Sequence, residues 1–307
     1  MKHKPLRNRI LASTVRQVLK GVFTLPNPDH ASLLKARKKF NTVIRLSPSG
    51  SLCPTQPVSN HALRGEWLTP DQFGKRIFLY VHGGGFYVGS PESHRPLTQR
   101  LARQSRSRVF SLDYRLAPEA TAPAWVEDCS LAYLQLLEMG HLAEHIVMAG
   151  DSAGGNIVLA SLMHLRDHGH PLPAAAILLS PWTDLTVHLA SHERLAHIDA
   201  MLNHQSMLKL GRWLSQGQDI KNPLLSPYFG DFSNLPPMLF QVSDSEILFD
   251  DSKFCVQKAN ACGSHAELSV WSGMVHVFQL FGLVLPEARV AIDEITDFAD
   301  RFCPVDA

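Results

Sequence analysis

Cysteine is scarce in this chain, and no two cysteines are spaced as a Cys-x-x-Cys pair. Cys53, Cys129, Cys255, Cys262 and Cys303 are scattered. An odd number without framework spacing excludes a disulfide scaffold and predicts reduced thiols in a cytoplasmic protein. An excess of one charge sign is missing as well. The formal net charge is +1, so there is no electrostatic case for a nucleic-acid partner. The first 25 residues hold no uninterrupted apolar run, because Lys2, Lys4, Arg7, Arg9, Arg16 and Lys20 break it. That argues against a signal-peptide core and against stable membrane insertion. Internal repeats and low-complexity tracts are also absent.

What remains is a globular chain of 307 residues, 45% hydrophobic. That length suffices for one large α/β domain with an accessory layer. Near the N-terminus, Leu11, Val15, Val18, Leu19 and Val22 recur at helical spacing among basic residues. The segment reads as a basic amphipathic helix, which packs on the parent domain or touches an anionic surface. Residues 1–45 read as mostly helical, with a break at Pro26 and Pro28, and a Pro/Ser/Gly-rich connector follows over Ser47–Pro57.

Beyond it, strands alternate with helices. Strands are predicted at Ala62–Leu68, Arg76–Val81, Arg108–Leu112, His145–Ala149, Ala175–Leu179, Pro237–Val242 and Ala266–Trp271. Helices are predicted at Pro96–Gln104, Ala122–Glu138, Gly154–Asp167, Ser252–Ala261 and Pro286–Phe302. Short apolar strands separated by helices imply an α/β fold: a mostly parallel sheet with helices on both faces. The alternation fails between Asp184 and Pro236. Helical patterning there, with Met207, Leu208, Leu210, Trp213 and Leu214, predicts an insertion above the sheet, packed with the N-terminal helices as a lid.

Gly150-Asp151-Ser152-Ala153-Gly154 lies between the strand ending at Ala149 and a predicted helix. Strand, tight turn, helix is the setting of a nucleophile elbow. It would hold Ser152 at a helix N-terminus, where free N–H groups favour developing negative charge. A capping serine in a glycine-rich turn is the plainer reading. His82-Gly83-Gly84-Gly85-Phe86 follows another strand. Its bare backbone suits an oxyanion hole, with the amides of Gly83, Gly84 and Ala153 as expected donors. The loop lacks the Lys-Ser/Thr of a phosphate loop.

A serine nucleophile needs a base, and the base an acid. His276 follows the last strand, at the sheet edge where open α/β folds place their sites. Asp244, Glu246 and Asp250 all fall in the loop after the strand ending at Val242, and spacing does not rank them. Carboxylates unused there are expected to cap the following helix. Asp113–Glu119 either braces the oxyanion loop or forms a simple turn. His164, His168 and His170 read as a solvated helix end rather than a metal site, since Asp167 faces elsewhere.

Together these segments resemble the hormone-sensitive-lipase-like esterases (bacterial family IV) of the α/β-hydrolase fold. The resemblance runs from about His61 to the C-terminus. It rests on His82–Phe86, on Tyr114–Glu119 (Tyr-Arg-Leu-Ala-Pro-Glu) and on Gly150–Gly154, with Ser226-Pro227 and Leu235-Pro236-Pro237 in support. It implies Glu246 as the acid, because family members carry Asp or Glu directly before a hydrophobic-Leu-x-Asp stretch, here Ile247-Leu248-Phe249-Asp250. It implies a helical cap, giving N-terminal cap helices and connector over 1–60, a hydrolase core over 61–183 and 223–307, and a cap insertion over 184–222.

The expectation is a serine ester hydrolase for short- to medium-chain acyl esters, acting on a small-molecule substrate without metal or organic cofactor. Phe86, Tyr87, Trp182 and Phe278 are candidate pocket walls. Lactone or amide hydrolysis by the same triad is the rival, and a non-catalytic binding protein a lesser one. The sequence leaves open whether the chain forms a homodimer.

Overall fold

The computed structural model describes residues 6–20, 25, 27–46, 52–60 and 63–305. Lys2, Lys4, Val22, Pro26, His61, Ala62 and the first part of the connector lie outside them. Eight strands form one sheet in the order β1-β2-β4-β3-β5-β6-β7-β8. They are β1 (Thr55–Ser59), β2 (Arg64–Leu68), β3 (Ile77–Val81), β4 (Arg108–Leu112), β5 (Ile146–Asp151), β6 (Ala175–Leu179), β7 (Met238–Ser243) and β8 (Ala266–Trp271). The β1–β2 and β2–β4 pairs at one edge are antiparallel; the other five pairs are parallel.

The predicted strands are all present, with ends shifted by a residue or two. β1 was not expected. It lies in the stretch read as a connector, because Thr55-Gln56-Pro57-Val58-Ser59 is polar and mostly exposed. Proline is tolerated there because an edge strand needs only one ladder.

The central strands show why both faces must be covered. Side chains alternate across a strand. In β3, Ile77, Leu79 and Val81 enter one apolar layer, and Phe78 and Tyr80 the other. In β5, Met148 faces the first layer and Val147 and Ala149 the second. Helices α4 (Ala124–Glu138), α5 (Ala153–Asp167) and α8 (Phe249–Ala261) cover the first face. Helices α3 (Pro91–Gln104) and α9 (Pro286–Phe302) cover the second. Helix α3 starts a turn earlier than predicted. Ser90 and Ser93 form a capping box with Pro91 in the first turn, and Pro96 gives up only one helical hydrogen bond in its second turn.

The remaining helices are α1 (Leu6–Leu19) and α2 (His30–Leu46) before the sheet, and α6 (Ala190–Arg194) and α7 (His204–Ser215) between β6 and β7. Val15, Leu19 and Leu202 pack on a cluster that includes Met201, Met274, Val275 and Phe278. The amide of Leu25 donates to Ser206 Oγ at 3.1 Å, and the Arg16 guanidinium donates to the Ile198 carbonyl. The N-terminal helices and the segment after β6 thus share one packed face above the sheet. No described helix is long and apolar enough to cross a membrane.

Candidate active site

β5 ends at Asp151 and α5 begins at Ala153, so one residue must turn the chain. That residue is Ser152, at φ 52° and ψ −119°, a conformation costly for any side chain-bearing residue. It is held from both sides: its amide donates to Leu179 O at 2.8 Å, and its carbonyl accepts the Trp182 amide at 3.1 Å. A Cβ on Gly154 would overlap the Val81 carbonyl. Glycine is therefore required where the elbow crosses the end of β3.

His276 Nε2 lies 3.0 Å from Ser152 Oγ, and its Nδ1 lies 2.6 Å from Glu246 Oε2. The other Glu246 oxygen accepts the Ser243 amide and the Ser180 hydroxyl, each at 2.7 Å. The carboxylate is fully buried and its orientation is fixed on both oxygens. A neutral imidazole with its proton on Nδ1 donates to Glu246 and leaves Nε2 to accept from the serine hydroxyl.

Burial pushes the His276 pKa down. The hydrogen bond and charge of Glu246, with the charges of Asp199 and Asp151, outweigh it and raise the value above the usual one. Asp199, from the segment between α6 and α7, also accepts the Ile247 amide at 2.9 Å.

The other two carboxylates of the loop are used elsewhere. Asp244 accepts the Gly273 amide at 2.7 Å and thereby ties down the loop that carries His276. Asp250 accepts the Ser191 amide at 2.8 Å. Neither caps α8, whose N-terminus has no side-chain cap, so the expected capping role is not the one observed. The reason is that residues 183–199 pack directly on this helix end. Asp251 likewise accepts the Thr183 and Asp184 amides at 2.8 and 3.0 Å and meets His192 Nε2 at 2.7 Å.

The expected oxyanion donors need one correction. The Gly83 amide already donates to Asp151 Oδ1 at 3.0 Å. It is unavailable to a substrate. The amides of Gly84, Gly85 and Ala153 have no hydrogen-bond partner among the described residues, so the free amides of this loop begin one residue later than expected. Sequence could not resolve this shift, because three consecutive glycines look alike until the chain's path is known. Gly84 has φ +115°, and a Cβ there would overlap the Val88 carbonyl.

Asp151 anchors a buried group behind this loop. It accepts the Tyr80 hydroxyl at 2.7 Å, and its Oδ2 lies 3.4 Å from His94 Nε2. Burial disfavours the carboxylate, but the charge and hydrogen bond of His94, with the Tyr80 hydroxyl, hold its pKa below the usual range. His82 stacks on Tyr114 with ring centres 4.4 Å apart. Burial, with the neighbouring His94, pushes His82 down to about 3. The Tyr114 hydroxyl donates to His82 O at 3.0 Å, and the Ala117 amide donates to Phe86 O at 2.8 Å. The Asp113–Glu119 segment therefore does brace the glycine loop.

Phe86, Tyr87, Trp182 and Phe278 are all buried. Phe86 stacks on Trp125 at 4.4 Å and tilts against Trp182 at 5.9 Å, and Phe278 meets Trp271 at 5.2 Å. A Cβ on Gly85 would press on the Tyr87 ring and come within 3.6 Å of Leu210 on α7. The glycine loop thus lies against the segment above the sheet. His164 and His168 lie on α5 with ring centres 4.1 Å apart. Among the described residues no three His, Cys, Asp or Glu side chains group as metal ligands.

A protein family described as alpha/beta hydrolase fold matches residues 78–280. An acetyl-hydrolase of Streptomyces hygroscopicus is 41% identical over 228 residues, covering 74% of this chain and 76% of the relative. An esterase of Acinetobacter venetianus is 31% identical over 283 residues, covering 92% of this chain and 93% of the relative. Among solved structures, a hormone-sensitive lipase from a metagenome library superposes with a TM-score of 0.89 at 35% identity, over 95% of this chain and 98% of that one.

Proposed function

This chain belongs to the hormone-sensitive-lipase-like esterases of the α/β-hydrolase fold, and from that premise we propose that it is a serine carboxylesterase working through an acyl-enzyme. The observation that carries the reading is the continuous chain from Ser152 Oγ through His276 to Glu246, at 3.0 and 2.6 Å.

In this scheme His276 Nε2 takes the hydroxyl proton of Ser152 as Oγ attacks the ester carbonyl carbon. The carbonyl π electrons move to oxygen, and the oxyanion meets the amides of Gly84, Gly85 and Ala153. Preorganised donors of this kind each contribute about 10²–10³ in rate. Collapse breaks the ester C–O bond, and the leaving alkoxide takes the proton from His276. Water then gives a proton to His276 and attacks the acyl-serine, which releases the acid and restores Ser152. Glu246 accepts the Nδ1 hydrogen bond and holds the imidazole in the productive tautomer. No step calls on a metal or organic cofactor.

Helices α1 and α2 and residues 184–222 act as the cap over residues 61–183 and 223–307. With Phe86, Tyr87, Trp182 and Leu210 packed in one cluster with the glycine loop and Phe278 beside the loop of His276, the cap confines the acyl chain and favours short to medium esters. Cys129, Cys255, Cys262 and Cys303 are unpaired, which fits a cytoplasmic setting.

The test is hydrolysis of p-nitrophenyl esters, acetyl to long-chain, by the wild type and Ser152→Ala. Turnover that depends on Ser152 and falls with chain length is expected. A folded protein without turnover on any of them would remove the ester reading and move attention to lactones or amides.

A further inference from the structure

The charge of the chain is small only as a sum. Residues 1–50 hold eleven of the 29 Lys and Arg and one of the 28 Asp and Glu, a formal +10, and the rest of the chain carries −9. Eight of these eleven basic residues lie on α1 and α2. One face of α2 is turned inward: Leu33 is buried, Phe40 packs on the apolar layer, and Arg37 Nε donates to Tyr87 O at 2.8 Å. The opposite face carries Lys35, Lys38 and Lys39, spaced so that they share one side of the helix. All three are exposed and form no ion pair with any described residue. Among the described ion pairs, Arg37, on the inward side, links α2 to the acidic body, at 2.8 Å from Glu119.

Exposed apolar side chains accompany the basic residues on both helices. Val18 on α1 is 75% exposed and Leu34 on α2 is 37% exposed. We propose that the outer face of α1 and α2 docks the protein onto an anionic lipid bilayer. Lysines near such a surface are each drawn to it by the leaflet's negative potential. Val18 and Leu34 gain by entering the boundary between headgroups and acyl chains. A nucleic-acid backbone offers the lysines similar charge but gives these two side chains no apolar phase. The −9 of the remaining chain is repelled by the same surface, which favours approach with this face first and orients the docking.

The orientation has a consequence for the site. α1 packs on the loop that carries His276, and Arg37 of α2 holds the carbonyl of Tyr87 just past the glycine loop. A bilayer on the outer face of these helices lies over the elements that cover Ser152. The docking itself stands apart from the ester-hydrolase reading, and only this consequence rests on it.

The experiment is co-sedimentation of the full chain with vesicles of phosphatidylcholine alone, or with about 30 mol% phosphatidylglycerol, in about 0.05 M and about 0.5 M salt. The expected result is partitioning at least about tenfold stronger onto the anionic vesicles, lost at high salt. Lys35→Glu/Lys38→Glu/Lys39→Glu should weaken it by about 100-fold, with hydrolysis of soluble p-nitrophenyl butyrate unchanged. Val18→Ser/Leu34→Ser, which leaves the charge intact, should weaken it by about tenfold and serves if the charge-reversed chain does not fold. Equal or no partitioning onto the two vesicle types would overturn the proposal. So would anionic binding that survives in folded variants. Duplex DNA that displaces the protein from the vesicles and binds the Val18→Ser/Leu34→Ser variant as well as the wild type would assign the face to nucleic acid instead.

Discussion

The Asp151 carboxylate accepts the Gly83 amide at 3.0 Å, so the residue before Ser152 is tied to the first glycine of the loop that faces it. The bond sets the spacing between the serine and the next two amides. Asp151→Ala removes it while leaving Ser152, His276 and Glu246 in place. The expected result is a fall in kcat of about 10²-fold, the scale of losing one oxyanion donor, with KM changed little. Asp151→Asn keeps an acceptor and should retain most of the rate. Steady-state kinetics on p-nitrophenyl butyrate check this, with phenylmethylsulfonyl fluoride labelling of Ser152 as the control. Equal losses in the two variants would show that the charge, rather than the bond, matters.

Glu246 and Asp244 are separable by substitution. Glu246→Gln should cost about 10³–10⁴ in kcat, because the amide cannot hold the imidazole in the right tautomer as a carboxylate does. Asp244→Asn keeps an acceptor for the Gly273 amide and should stay within about threefold of the wild type. A reversed ranking would reassign the acid.

In the proposed mechanism His276 must be neutral to accept the serine proton, so activity is expected to fall as pH drops through its pKa. That pKa is raised above 6.5, and the acid limb of kcat/KM should have its midpoint above that value. Asp199→Asn removes one of the charges that raise it and should move the midpoint to lower pH. The stability contribution runs the other way. A raised histidine pKa stabilises the fold fully below its unfolded value of 6.5 and loses that stabilisation as pH rises through the folded value. A pH–rate profile that does not shift in a folded Asp199→Asn variant would exclude the coupling.

Asp251 and His192 are both fully buried. Removing the carboxylate strands the His192 ring and the Thr183 and Asp184 amides together. Asp251→Ala should therefore destabilise the fold by about 3–5 kcal/mol in urea unfolding, the cost of breaking a buried pair from one side. A change under about 1 kcal/mol would mean that water replaces the carboxylate there.

Several features of the molecule were legible in the residues. Continuously apolar strands such as Ile77–Val81 and Ile146–Met148 must be buried on both faces, and that requirement alone implies the covered parallel sheet. Gly150–Gly154 between a strand and a helix is local geometry, so the elbow at Ser152 could be read without knowing any distant contact. β1 escaped because an exposed edge strand has no buried face to leave a pattern.

Partnership between distant residues was decided only by the tertiary structure. Asp244 and Glu246 are two apart and chemically alike. Bonds from Ser180 and Ser243 turn Glu246 toward His276, while Asp244 turns to Gly273. Gly83 was expected to be a donor, yet it gave its amide to Asp151, 68 residues away in the chain. Sequence carries the type of each group and its local backbone conformation. A hydrogen bond is directional and a few ångströms long, so which of several like groups makes it depends on where the packed sheet and helices finally set their ends.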